Sequence, residues 1–413
     1  MKRYANFSRS AAVLAAIPLA LAVSQATAQT ANVTLYGVVD VGVQHVTGVR
    51  GGEITQLASG IMEGSRWGLR GTEELGGGYK AIFVLENRFE ADTGGLSNRP
   101  LSGTQLPDRF IAGLPPAVQA ALNGAIGPSL GVNIPGRLFD RQAYVGVITP
   151  FGAILAGRQY TPAFEISNRF DAFANATAAS PGQLASIPAG IDIRESNSVM
   201  YRIELQGFFG SAYYAFGEST ASTKAGRLVG INGGYQSKQF GVGVGYNERT
   251  NSAGQKSLNS LIAGANFDAG FVNLFGLYGA IKEPNGSSAP ELRAGLIAGG
   301  VPAVLVESGI LPRFMQDARL YHVGARVPLG VGLMTIGYSR LDDKRATNAD
   351  SESYGIAYTY PLSKRTDLNV AVTQVNNSAN AQVLPGGNGF LGGVTAFAGK
   401  DATSYQFSLR HKF

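Results

Sequence analysis

The chain ends Ser404-Tyr405-Gln406-Phe407-Ser408-Leu409-Arg410-His411-Lys412-Phe413, and this stretch decides the fold class. Tyr405, Phe407, Leu409 and Phe413 are large and apolar, whereas Gln406, Ser408, Arg410 and Lys412 between them are polar. A period of two describes a strand with one apolar and one wetted face. Against hydrocarbon, an unpaired last strand would expose N–H and C=O groups where no water can bond them. It must then close onto another strand, and the first strand of the mature chain is the natural partner. Taken alone, an alternating strand of this length fits a soluble sandwich equally well, so the rest of the chain has to choose.

Lys2, Arg3 and Arg9 come before an apolar run over 11–23 and the small-residue site Ala26-Thr27-Ala28. That order marks 1–28 as a secretory signal peptide and 29–413 as one mature domain. Without those three cations the basic count falls from 34 to 31 against 28 acids, a balance of +3. So mild a charge gives no support to nucleic acid as a partner. The chain has no cysteine, hence neither a disulfide framework nor a thiol to lipidate. Beyond Ala28 no apolar run approaches the roughly 18–20 residues of a spanning helix. The 56 glycines, 17 tyrosines and 21 phenylalanines instead suit short strands and tight turns.

Period-two runs recur throughout. Val33, Leu35, Gly37, Val39 and Val41 alternate with Thr34, Tyr36, Val38 and Asp40. Trp67 and Leu69 oppose Arg66 and Arg70, and Val199, Tyr201 and Ile203 oppose Ser198, Met200, Arg202 and Glu204. Short connections are expected at 76–78, 149–152, 205–207, 237–239, 268–270, 328–331 and 361–364. Long ones are expected at 47–64, 91–138, 161–195, 218–227, 249–256, 282–317, 342–350 and 376–400. Strict alternation of short and long connections, joining sixteen strands, is what a chain threaded through a membrane requires. The fold class is all-β: a 16-stranded antiparallel transmembrane β-barrel with short periplasmic turns and long external loops.

Val33-Thr34-Leu35-Tyr36-Gly37-Val38-Val39-Asp40 resembles the opening of the general outer-membrane porins of beta-proteobacteria and neisseriae. So do the stretch from Ser65-Arg66-Trp67-Gly68 to Glu73-Glu74-Leu75-Gly76, Arg141-Gln142-Ala143-Tyr144-Val145-Gly146 with Gly157-Arg158-Gln159, and the closing Leu409-Arg410-His411-Lys412-Phe413. The resemblance implies a homotrimeric diffusion channel in outer-membrane lipid and lipopolysaccharide. It also implies that the assembly machinery reads the terminal strand through Tyr405, Phe407, Leu409 and Phe413. A third external loop, 161–195, folded into the barrel as the constriction is implied as well. Residues 96–137 and 284–317 depart from the family by their length.

A sixteen-stranded ring encloses water, and its narrowest point selects what passes. Arg66, Arg70, Lys80, Arg88 and Arg202 fall on the lumen side; Arg141 and Arg158 lie in strands that alternate too poorly to assign. Glu165, Asp171, Asp192 and Glu195 of the third loop are expected to face such bases, setting a transverse field across the slot. Arg326, Arg410 and Lys412 also point inward, so the bases outnumber inward Glu86, Glu90, Glu204 and Asp367 and a weak anion preference follows. Pro115 to Gly124, Pro290 to Ala298 and Pro302 to Ser308 read as short apolar helices that pack among the loops, line the mouth or clasp a neighbouring subunit.

No catalytic residue, metal site or cofactor is expected. The three histidines do not form a metal set, and His322 lacks a nucleophile elbow. Gly241-Val242-Gly243-Val244-Gly245 lacks the helix of a dinucleotide loop and reads as lumen-facing glycine. The resulting function is passive diffusion of small hydrophilic solutes and ions. Competing readings are a substrate-selective channel partly covered by its long loops, an outer-membrane barrel hydrolase and a surface adhesin.

Overall fold

The computed structural model describes residues 32–220 and 222–413, so the expected signal peptide lies outside the described residues. One antiparallel sheet runs from β1 (Asn32–Val49) to β17 (Ala402–Lys412) and closes on itself. Closure is direct: β17 pairs with β1 from Val38↔Lys412 to Val46↔Ser404. Phe413 continues the ladder, exchanging backbone hydrogen bonds of 3.1 Å with Gly37. The barrel therefore has no free edge, as a hydrocarbon environment demands.

Seventeen strand segments fill sixteen positions, because β2 (Gly52–Ser59) and β3 (Arg66–Gly76) share one place beside β1. β2 pairs with the upper part of β1, Val41 to Val49, and β3 with Asn32 to Val38. Between them the chain dips inward, where the buried Asp40 carboxylate accepts the amides of Met62 (2.8 Å) and Glu63 (2.7 Å). This corrects the expected long loop at 47–64. β1 instead continues to Val49, turns through Gly51 and Gly52 at φ +96° and +117°, and returns as β2. The sequence hid this hairpin because polar pairs such as Gln44–Gln56, His45–Thr55 and Thr47–Glu53 interrupt its apolar ones.

The remaining strands follow in order: β4 (Tyr79–Arg88), β5 (Gln142–Thr149), β6 (Gly152–Tyr160), β7 (Arg194–Leu205) and β8 (Phe208–Ala215). Next come β9 (Leu228–Gln236), β10 (Phe240–Thr250), β11 (Lys256–Asp268) and β12 (Asn273–Lys282). β13 (Asp317–Leu329), β14 (Gly332–Asp343), β15 (Ser351–Pro361) and β16 (Thr366–Asn377) complete the ring. Outward positions such as Val145, Ile154, Ile231, Val323 and Phe407 are exposed and apolar, as lipid-facing residues must be. Phe208, Tyr235 and Phe240 form a chain of ring contacts at 4.9 and 5.6 Å near the short-turn rim, part of an interfacial aromatic girdle.

Besides the β6–β7 connection, two long connections carry helices. The β4–β5 connection holds α1 (Asp108–Ile111) and α2 (Pro116–Ile126). The β12–β13 connection holds a ten-residue helix (Ala289–Ala298), a π-helical turn (Leu305–Ile310) and a last short helix (Leu311–Phe314). Leu106, Phe110, Leu114, Val118 and Leu122 from the first join Leu296, Val306, Ile310 and Leu311 from the second in one buried core. Each of these side chains contributes roughly 1.5–3 kcal/mol by leaving water.

Val370 of β16 sits opposite Phe407 of β17 on the outer face. Val370→Arg is expected to cost about 2–4 kcal/mol of barrel stability in a bilayer. Urea titration of the liposome-inserted barrel reads this directly, and an unshifted midpoint would place that face in water.

Candidate functional site: an arginine-lined channel

The 161–195 connection enters the barrel. Its helix α3 (Pro162–Phe170) starts with proline at the first helical position, where the missing N–H is no loss. Ala163, Ile166 and Phe170 form its buried face. The wall makes room by leaving out side chains. A Cβ on Gly264 would lie 2.4 Å from Cβ of Phe170, and one on Gly245 would lie 2.9 Å from Ile166. Farther along the loop, Gly324, Gly337 and Gly355 leave room for Ala172, Phe173 and Ala179. Inward positions on the β10–β15 arc thus form a glycine seat. The expected lumen-facing Gly241, Gly243 and Gly245 all face inward, and the last two contact the α3 segment.

Polar anchors hold the far half of the loop. The Asp171 carboxylate accepts the amides of Phe173 and Asn175, both at 2.8 Å, and the Ser180 hydroxyl at 2.7 Å. The Ala172 N–H donates to His322 Nε2 at 3.1 Å, so Nδ1 carries the ring proton and donates to Ser339 Oγ at 2.9 Å. Arg326 donates to the carbonyl of Ala172 at 2.6 Å and of Asp171 at 3.1 Å.

The open lumen is left against the opposite arc, as a cavity of about 1120 Å³. Arg66 of β3, Arg88 of β4, Arg158 of β6 and Arg202 of β7 line it, together with Arg141 just before β5. Many of these charges are compensated. Arg66 pairs with Glu63 at 2.8 Å and Glu86 at 3.4 Å, and Arg141 with Glu86 at 2.7 Å. Arg88 pairs with Glu90 (3.2 Å) and Asp140 (3.3 Å), and Arg202 with Glu165. Arg410 lies 2.7 Å from Glu63 and 2.8 Å from Asp367.

Besides Arg137 of the first insertion, four cavity arginines have no carboxylate partner among the described residues: Arg158, Arg169, Arg194 and Arg326. Arg158 donates to Ser196 Oγ at 3.0 Å and to the Asp140 carbonyl at 2.6 Å. Arg194 donates to Tyr160 Oη at 2.9 Å and lies 4.6 Å above that ring, which stacks on Phe164 at 5.1 Å. Arg169 lies 4.1 Å above Phe209. Neutral acceptors and ring faces orient these guanidinium groups without cancelling their charge.

Other expected site residues lie elsewhere. Arg70 and Lys80 face inward nearer the short-turn end, outside this cavity; Arg70 lies 5.3 Å over Tyr36 and Lys80 pairs with Glu74 at 2.6 Å. Asp171 is consumed within its own loop, because a fully buried carboxylate needs donors at both oxygens. Asp192 meets Arg249 at 3.0 Å rather than an arginine of the cavity, and Glu195, the second residue of β7, meets the same Arg249. Sequence reasoning missed Arg194, although it shares the parity of Arg202. It also missed a second inward loop, 378–401. There Gly386 accepts Gln44 Nε2 at 3.1 Å and Gln406 Nε2 at 2.8 Å, while Asn388 Nδ2 donates to the Asn175 carbonyl at 2.7 Å.

Known proteins share this plan. The sequence profile described as Gram-negative porin matches residues 10–380. Outer membrane porin protein 32 of Delftia acidovorans is 26% identical over 412 residues, covering 95% of this chain and 97% of its own. An outer membrane porin protein of Bordetella pertussis is 27% identical, covering 86% of this chain and 91% of its own. Among solved structures, the anion-selective porin from Comamonas acidovorans superposes with a TM-score of 0.69 at 24% identity, over 93% of this chain and all of that one. OmpT of Vibrio cholerae follows at 0.58 and 13%, over 93% and 98%, a likeness of fold.

The glycine seat has a direct consequence. Gly355→Val cannot coexist with Ala179 in place, since even a Cβ would come within 2.1 Å of the Ala179 Cβ. The loop is expected to unseat, with single-channel conductance changed and noisier. Conductance identical to that of the unaltered chain would show that the loop does not rest there.

Proposed function

This chain belongs to the Gram-negative porin family, passive diffusion channels of the outer membrane, and on that premise we propose that its channel prefers small anions. The observation that carries this is the balance of charge around the cavity. Ten arginines and no lysine line it, against four acidic residues, Glu63, Asp140, Glu165 and Glu204. Arg158, Arg169, Arg194 and Arg326 keep their full charge, since a guanidinium does not titrate in the physiological range. In a narrow aqueous slot such a field concentrates anions and raises the barrier to cations.

A homotrimer embedded in outer-membrane lipid and lipopolysaccharide fits the same premise, as does insertion through the assembly machinery that the terminal strand addresses. A non-enzymatic role fits the one grouping that resembles a catalytic set. His322 and Ser339 are each 1% exposed, and the His322 nitrogen facing the loop is occupied by a backbone amide. A hydrolytic base there would have no substrate within reach.

Reversal potentials in a potassium chloride gradient test the preference. Arg158→Gln and Arg194→Gln are each expected to weaken it more than Arg66→Gln, whose charge Glu63 and Glu86 already offset. Cation preference in the unaltered channel would reject the proposal. Acid adds a second signature. Burial pushes the Glu90 carboxyl above its ordinary range, and the charge of Arg88 offsets only part of that. Glu90 therefore loses its charge earlier than an ordinary glutamate as pH falls, leaving Arg88 less compensated. Anion preference is expected to strengthen from pH 7 toward pH 5, and a decline over that interval would contradict the pairing.

A further inference from the structure

The two helical insertions leave the barrel on opposite sides. The β4–β5 and β12–β13 connections divide the ring into two arcs of eight strand positions each, with β2 and β3 counted as one. Yet their helices share one buried core, in which the rings of Phe110 and Phe314 lie 4.5 Å apart. Arg313 also donates to the carbonyl of Ala112 at 2.6 Å. Chains that start on opposite walls meet only by crossing the mouth.

Hydrogen bonds trace the route. Ser102 Oγ accepts the Val394 amide at 3.0 Å, and the Asp108 carboxylate accepts the Ala398 amide at 2.9 Å, so the outgoing limb lies over the inward 378–401 loop. Arg109 then donates to the Ile187 carbonyl of the 161–195 loop at 3.2 Å. Arg345, after β14, donates to the Met315 carbonyl of the second insertion at 2.7 Å. The returning limb of the first insertion overhangs the water path, since Gly131 to Arg137 form part of the cavity lining. On the other arc the connections that follow β8 and β10 bond to each other, Gly226 N to Asn251 O at 3.0 Å.

We infer that the two insertions form one fixed roof over the β13–β4 half of the mouth, which sets the largest solute admitted while the arginines below set the choice of ion. Solutes enter past the β5–β12 rim. The joint between the insertions is an apolar core with carbonyl acceptors, so it does not open with pH or salt. Within 96–137 the cavity lining carries a single charge, Arg137, so undocking that stretch changes size exclusion far more than charge. The inference rests on the diffusion-channel reading but not on the anion preference.

The test uses the full chain in planar bilayers and liposomes. In the unaltered channel, polyethylene glycols of graded size, added to one chamber and then the other, should lower conductance with different size cut-offs from the two sides. Equal cut-offs would overturn the roof. Leu122→Asp with Ile310→Asp places carboxylates in the shared core. A second variant replaces 290–312 by a short glycine–serine linker. Heat-shifted gel mobility verifies a folded barrel in each. In either folded variant the two cut-offs should converge, and tri- and tetrasaccharides should swell liposomes several-fold faster relative to arabinose. Potassium chloride reversal potentials should stay as in the unaltered chain. Unchanged sugar ratios in a folded variant would overturn the inference, and if neither variant folds, the two-sided cut-offs still decide it. A missing chloride preference alongside unequal cut-offs would sink the anion proposal alone.

Discussion

The structure depends on one constraint: in hydrocarbon, every backbone N–H and C=O must find a partner within the protein. The β1–β17 ladder meets that constraint, and the rest of the architecture follows from having met it. Once the ring is closed, the period of two divides each strand between lipid and water. The only freedom left to sequence on the inner face is the size and charge of each inward residue. Closure also lets the terminal residues do structural work, since Phe413 completes the ladder against Gly37.

That freedom is used unevenly around the ring. From β10 to β15 the inward face includes glycines at the places where the third loop lies down. From β3 to β7 it bears arginines. A loop needs backbone-to-backbone approach, and glycine alone permits it without displacing the strand. A channel selective by charge needs cations facing water. Putting the two requirements on opposite arcs lets one loop narrow the barrel without covering the groups that act on solutes. The cavity arginines, with Arg169 of α3 and Arg326 of β13 among them, are in turn divided. Carboxylates hold Arg66, Arg88, Arg141 and Arg202, whereas aromatic rings and carbonyls hold Arg158, Arg169, Arg194 and Arg326. The second group leaves its charge available to an ion in the lumen.

The mouth follows a different logic from the barrel. Outside the membrane, backbone groups can bond to water, so the loops are free to build by apolar burial. Two insertions too short to fold alone do so by sharing a core. The inward 378–401 loop supports them from below, through hydrogen bonds from its backbone to Ser102 and Asp108.

What the residues alone determined is the barrel: the strand parity, the strand number, the short turns, the inward face of Arg66, Arg88 and Arg202, and the glycines of β10. These are local properties, because a period of two and a turn glycine are read within a dozen residues. The hairpin of β1 and β2 escaped because apolar pairs such as Val43–Leu57 and Val46–Ile54 are interleaved with polar ones such as Gln44–Gln56 and His45–Thr55, and its turn was read as part of a polar loop. Which charges cancel was decided only in three dimensions. Glu86 reaches Arg66 and Arg141 across two strands, and Asp192 and Glu195 turn to Arg249, pairings between residues dozens of positions apart. The shared core of the two insertions is of the same kind. Each insertion reads as a short apolar helix, and only the circumference of the closed ring, which sets them on opposite walls, makes their meeting a roof.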